Sequence, residues 1–233
     1  FAPFLQKHCT EKLGVHHVLA DVAKVNQADN GDITSLTMKQ GGELKGDLFV
    51  DCNGFSCLLL GKTLGVPFKD CSDVLFCDTA LAVQVPYETP DDPMASHTIS
   101  TAHSAGWTWD IGLPSRRGVG YVYSSRHISE EAATEELLRY IGPRAKGLTP
   151  RKIPIRGGYR ETCWKNNCVA VGLAAGFLEP LESSAIVLVE LSAKLIAEQM
   201  PANREVMDIV ARRFNEVSNY RWGRIRDFLK LHY

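Results

Sequence analysis

The chain has 233 residues, 26 lysines and arginines against 27 aspartates and glutamates, a formal net charge of -1 and 45% hydrophobic residues. Length and apolar content support a real core, in one elaborated domain or in part of a larger one. The interspersed charges exclude a nucleic-acid footprint and a polybasic membrane anchor, no signal peptide is visible, and the longest apolar candidate for a membrane span, 185–197, is broken by Glu190 and Lys194.

Residues 1–13 carry Phe4, Leu5 and Leu13 among charges and predict a helix ending at Gly14. "VHHVLADVAKVNQ" alternates as a strand, "NGD" at 30–32 signals a hairpin turn, and "ITSLTMK" returns. A "GG" turn and "LKGDLFVDC" complete a β-meander that runs into a more apolar strand over 48–50. "CLLLGKTLG" predicts a helix closed by Gly65, with Pro67 just beyond. Residues 79–124 hold four short strand-like runs, "TALAVQVP", "SHTISTA", "WTWDIGL" and "GVGYVYSS", which predict an antiparallel sheet. Ser129 followed by Glu130 and Glu131 is a helix start, and Gly142-Pro143 is its stop. "RKIPIRGGYRET" reads as a basic connection and "CVAVGL" as a short buried strand. A helix then places Ile186, Val189, Ile196 and Met200 near one face and stops before Pro201. A second helix from about Arg204 to Tyr233 carries Val206, Ile209, Val210, Phe214, Val217, Tyr220, Phe228 and Leu229, with Gly223 as a point of interruption. The mixture defines an α/β or α+β chain, with a β-rich layer inserted into a nucleotide-binding-like scaffold.

The seven cysteines, Cys9, Cys52, Cys57, Cys71, Cys77, Cys163 and Cys168, form no CxxC pair, and the seven histidines are scattered. No metal site is expected, and the cysteines read as buried or free thiols in a reducing cytoplasm.

The stretch "GFLEPLESSAI" joins the buried strand to the helix and carries two acids, Glu179 and Glu182. Upstream, the strand ends at Gly172, and Ala174, Ala175 and Gly176 let a flat group approach the backbone. Ser183 or Ser184 can cap the helix, whose first-turn N–H groups make an anion site beside Glu182. A carboxylate there serves as a proton acceptor or electrostatic partner, or only complements the helix dipole. Trp107 and Trp109 share a strand face, where they either wall a cofactor or aromatic substrate or pack into the core. "DLFVDCNGF" ends a buried strand in a tight turn of the kind that approaches a nucleotide.

Together, "DLFVDCNGF", "ALAVQV", "STAHSAGWTWDIGL", "GVGYVYSS", "NNCVAVGLAAGFLEPLESSAI" and "RDFLKLHY" resemble the flavin-dependent halogenases of the tryptophan-halogenase-like group, in that family's order, from about residue 47 to the end. The resemblance implies a flavin-monooxygenase-like FAD-binding fold with a strand-rich substrate layer. Residues 1–78 and 160–200 would form the flavin-side scaffold, 79–159 the strand-rich layer, and 201–233 the start of a helical C-terminal region. It implies reduced FAD and a halide ion as cofactors, with oxygen, and hypohalous acid that reaches a small aromatic substrate such as tryptophan or indole. A separate flavin reductase supplies the reduced cofactor. By motif match Glu182 is the catalytic glutamate, and Ser183, which follows it as in the family, is grouped with it as a catalytic residue. The backbone N–H groups of Ser184 and Ala185 match the halide site. Trp107 and Trp109 match the tryptophan pair near the flavin, and Gly172, Ala175, Gly176, Phe177 and Leu178 fall on the cofactor side. Glu179 shares the motif without an assigned chemistry.

The chain lacks GxGxxG and the segment bearing the family's catalytic lysine, a role that Lys165 does not inherit, and Gly112 stands where the Trp motif ordinarily has proline. The missing start, the opening on Phe1 and the close in mid-helix predict a central piece of a longer halogenase, binding FAD poorly and inactive alone. The alternatives are an aromatic flavin monooxygenase and a catalytically dead, halogenase-derived binding protein.

Overall fold

The computed structural model describes residues 2–233. In chain order the elements are α1 (Ala2–Lys12), β1 (Val22–Gln27), β2 (Ile33–Met38), β3 (Glu43–Lys45), β4 (Phe49–Asp51), β5 (Lys69–Asp70), β6 (Thr79–Pro86), β7 (Ile99–His103), β8 (Gly106–Leu113), β9 (Arg116–Tyr123), α2 (Glu130–Ile141), β10 (Arg151–Pro154), β11 (Gly158–Tyr159), β12 (Trp164–Lys165), β13 (Cys168–Ala170), β14 (Gly176–Phe177), α3 (Ser184–Glu198) and α4 (Arg204–Lys230). The first helix forms as expected and buries none of its described residues, and Phe1, its expected first residue, lies outside them.

The alternating runs of 79–123 form one antiparallel sheet in the order β10-β6-β9-β8-β7. Its β6–β9 and β8–β9 ladders run without a register shift. Alternation sorts the side chains between two faces. Leu81, Val85, Val119, Tyr121 and Tyr123 pack under α2 through Ala133, Leu137 and Ile141. Ala80, Trp107 and Val122 join the main core, which also holds Trp164, Leu178, Leu181, Phe214 and Trp222. The expected basic connection over 151–162 is instead partly strand: β10 pairs with β6 at the sheet edge, and β11 lies between β5 and β14. Its edge position explains how Arg151, Lys152 and Pro154 fit a strand, since an edge tolerates both charge and proline.

A fully buried β13 runs parallel to β4. Ahead of them, β1, β2 and β3 form the expected meander, although strand geometry begins at Val22, not at residue 15. Asn167 fastens this meander to the core. Its side chain accepts from Ile33 N–H and donates to Ile33 C=O, each at 2.8 Å, while its own carbonyl accepts from Phe49 N–H at 2.9 Å. The expected helix over 57–65 is a short π-helical segment, Leu58–Thr63, following a 3₁₀ turn. It starts over Asp51, which is 1% exposed and accepts from Leu59 and Leu60 N–H. This carboxylate holds the helix start, so the nearby turn has a structural tie of its own.

The third helix does not bury the face expected of it. Leu188 and Ile196 are its buried residues, whereas Ile186, Val187 and Val189 are exposed. The fourth is continuous through Gly223 and buries Met207, Ala211, Phe214, Trp222 and Leu229. Trp222 stacks on Tyr159 with ring centroids 5.5 Å apart and planes 1° from parallel. Among the described residues no helix is long and apolar enough to cross a membrane, and no cysteine pairs: Cys57, Cys71, Cys77, Cys163 and Cys168 are buried as free thiols.

Candidate active site

After β13 the chain turns at Gly172, whose φ of +66° is left-handed and favours glycine. Ala174 and Ala175 are buried, and Arg160 takes both of their carbonyls, through its Nε and its backbone N–H. Gly176 packs against β11, where a Cβ would lie 2.6 Å from Tyr159 Cβ. Glycine at 176 thus lets two strands close up, and the approach of a flat group is left to the other side of the segment. There, Gly172, Leu173, Ala175, Gly176, Ala185 and Ile186 line an apolar cleft of about 230 Å³. Phe177 meets Phe55 edge-on at 5.9 Å, and Leu178 is buried in the core.

The turn then inverts. Glu182 (φ 58°) and Ser183 (φ 53°) are successive left-handed residues, and neither is glycine. Such backbone costs on the order of 1–3 kcal/mol per residue and persists where surrounding structure enforces it. Both side chains are exposed. The expected serine cap does not form: Ser183 makes no side-chain hydrogen bond to the helix start, and Ser184 Oγ is buried without a partner. The left-handed backbone at Ser183 explains this, because a capping side chain needs an extended backbone to reach back to the first turn. The first N–H groups of α3, including those of Ser184 and Ala185, consequently have neither an intrahelical acceptor nor a side-chain cap. No acid stands in that first turn. An uncapped, positively polarised helix start beside an orphan hydroxyl fits a small anion, and the apolar cleft beside Gly172 and Ala185 fits the edge of a flat ring system.

The two tryptophans sit on β8, their centroids 6.2 Å apart. Trp107 is buried, and its indole N–H has no partner. Trp109 is half-buried and lies across Gly120 of β9, where a Cβ would come within 2.1 Å of the ring. Glycine in "GVGYV" therefore makes room for the indole. Trp107, His103, Ser124, Leu181 and Tyr233 border a cavity of about 440 Å³, so the tryptophan strand and the glutamate turn meet at one place. At Gly112, a Cβ would meet Met94 Cγ at 2.7 Å, so here the 87–98 loop closes over the position. Lys165 Nζ donates to Leu64 C=O at 2.8 Å, a structural tie.

The sequence left Glu179 without a role, and the structure gives it distinctive surroundings. It is 2% exposed and accepts a 2.6 Å hydrogen bond from the Tyr233 hydroxyl. Burial pushes its carboxyl up from the ordinary range, with the Tyr233 hydrogen bond opposing. Burial likewise raises the neighbouring Cys77 thiol to about 12. The available signal was an acid between Leu178 and Pro180. Nothing local pointed to Tyr233.

The chain thus combines a strand-rich sheet and a parallel β4–β13 pair with an open helix start and two indoles in edge-to-face contact, and solved flavin-dependent halogenases share its fold. BrvH, a flavin-dependent halogenase from Brevundimonas sp. BAL3, superposes with a TM-score of 0.91 at 40% identity, covering 98% of this chain and 46% of that one. A tryptophan halogenase from Shewanella frigidimarina superposes at 0.97 with 51% identity, covering 100% of this chain and 45% of that one. The tryptophan 6-halogenase SttH of Streptomyces toxytricini is 40% identical over 232 residues, 100% of this chain and 44% of its own length. The tryptophan halogenase family model matches residues 1–233, and the chain belongs to that family. It spans less than half the length of these relatives.

Proposed function

We propose that the protein halogenates an aromatic substrate (tryptophan, indole or a related ring) with reduced FAD, oxygen and chloride or bromide. The observation that carries this reading is the 172–185 segment: an exposed Glu182 held on left-handed backbone beside an uncapped helix start and an apolar cleft. Ser184 and Ala185 N–H would hold the halide. Gly172, Ala175 and Gly176 would border the flavin, with Trp107 and Trp109 nearby on the facing layer. Reduced flavin, when bound, would supply the electrons for oxygen activation, the chemistry from which hypohalous acid comes. The role of this chain's residues is then to hold charge and move a proton. As the carbon–halogen bond forms on the ring, the O–halogen bond of hypohalous acid breaks and hydroxide leaves; the ring C–H bond then breaks, and the Glu182 carboxylate would take the proton. In this reading the turn joins a flavin-and-halide face to a substrate face, and Glu182 would serve the second. Within the protein, residues 1–78 and 160–200 serve as the flavin side, 79–159 as the substrate layer and 201–233 as the start of the helical region. A flavin reductase is the partner, and the cytoplasm is the compartment.

The test is an assay of full-length protein with FAD, a flavin reductase, bromide and tryptophan or indole, read by mass spectrometry. A product with the bromine isotope doublet, lost in Glu182→Gln with flavin binding retained, is the expected result. A hydroxylated product formed without halide would establish the monooxygenase alternative, and ligand binding without turnover the dead-enzyme alternative.

A further inference from the structure

The "GFLEPLES" turn holds two acids in opposite circumstances. Glu182 is exposed, and Glu179 is sealed in the core. One Glu179 oxygen accepts from Tyr233, and the other, Oε2, is buried with no hydrogen-bond partner. Cys77 Sγ lies 3.4 Å from the same tyrosine oxygen. Burying an acid with one oxygen unpartnered is costly, so the group persists where its geometry is needed.

The chain leaves little slack between this anchor and Glu182. Only Pro180 and Leu181 intervene: proline fixes one torsion, and Leu181 is itself buried against the cavity it shares with Trp107. Tyr233 reaches the anchor from 54 residues downstream, just past the end of α4. The left-handed pair that follows has no glycine to favour it, so it needs an external hold.

We propose that Glu179 is a positioning residue: its hydrogen bond to Tyr233 ties the turn to the end of α4 and thereby fixes where Glu182 and the open start of α3 point. The consequence for turnover rests on the halogenase reading, whereas the hold itself is measurable without it.

The experiment compares Glu179→Gln, which keeps an acceptor for Tyr233, with Glu179→Leu and Tyr233→Phe in the full-length protein. The first readout is amide hydrogen exchange over residues 181–187. Glu179→Leu and Tyr233→Phe should each speed exchange there by about tenfold, the double variant should be no faster, and Glu179→Gln should stay within about threefold of wild type. The second readout is turnover: kcat for halogenation should fall about tenfold in the Leu and Phe variants, with KM for the aromatic substrate and flavin binding unchanged and Glu179→Gln restoring the rate. Tyr233→Phe removes a single oxygen, so it carries the test if the Leu variant does not fold. Unaltered exchange in Tyr233→Phe, additive effects in the double variant, or a Gln variant as impaired as Leu would each overturn the proposal. A wild-type protein that halogenates nothing would instead overturn the proposed function, and the exchange result would still decide the role of Glu179.

Discussion

Two helices in this molecule begin with a serine, and they begin in opposite ways. At α2, Ser129 is extended (φ -73°, ψ 160°), its Oγ accepts from Ala132 N–H at 3.2 Å, and Glu130 and Glu131 follow in the first turn. At α3, Ser183 is left-handed, caps nothing, and no acid follows in the first turn. The first start satisfies its donors and complements its dipole, which is what stability favours. The second leaves donors open and tolerates strained backbone beside an exposed carboxylate. The residue types are nearly the same, and the backbone angle at one serine separates a structural helix start from one available for chemistry.

The comparison can be broken or sharpened by substitution. The largest effect belongs to Glu182→Gln, which should cut halogenation by the full-length protein by at least about 100-fold while leaving its melting temperature unchanged. A fall in stability that matched the fall in rate would place Glu182 in the structural class with Ser129. Next, Ser129→Ala should cost about 1 kcal/mol in urea unfolding and leave turnover intact. A smaller change of opposite sign is expected at the other start: Ser183→Gly relieves the left-handed backbone and should stabilise by less than about 1 kcal/mol. Equal destabilisation by Ser129→Ala and Ser183→Ala would erase the distinction, because it would mean that Ser183 caps after all. The subtlest effect is a slope with pH. The Glu179 carboxyl is raised in the folded state, mainly by burial, among Tyr233, Cys77 and His232. Between the ordinary glutamate range and that raised value the folded chain binds more protons than the unfolded one, so this group's contribution to stability is largest at low pH and declines as pH rises through the window. Glu179→Gln should flatten that decline, as measured by melting temperature across pH.

Much of this was legible along the chain where one face of an element is buried. Alternation in 79–124 identified four strands of the main sheet, and Ser129 with its two acids identified α2. Edge strand β10 was hidden because Arg151, Lys152 and Pro154 obey the rules of a sheet edge, not those of a core strand. The buried face of α3 differs from the expected one because Ile186, Val187, Leu188 and Val189 are four consecutive apolar residues, which leaves periodicity little to choose between in the first turns. Gly223 does not interrupt α4, whose neighbouring Trp222 is clamped by stacking on Tyr159. At the candidate site, the residue types of Glu182, Ser184 and Ala185 were readable as motif. The left-handed pair was not, since no glycine announced it, and Tyr233 was invisible because its partner lies 54 residues away.

Asn167 has a consequence for the order in which the molecule is made. The meander of β1 to β3 is complete by residue 45, yet the buried amide that pairs with both backbone groups of Ile33 belongs to Asn167, 134 positions beyond Ile33. A ribosome adding about 5–20 residues per second leaves that amide absent for roughly ten seconds after the meander emerges. During that interval an early-synthesised sheet carries an open hydrogen-bonding position at Ile33, and the closing step is a long-range one of the kind that sets slow folding. Until Asn167 arrives, the backbone groups of Ile33 have only water or a non-native partner to bond, so the meander docks late although it is made early.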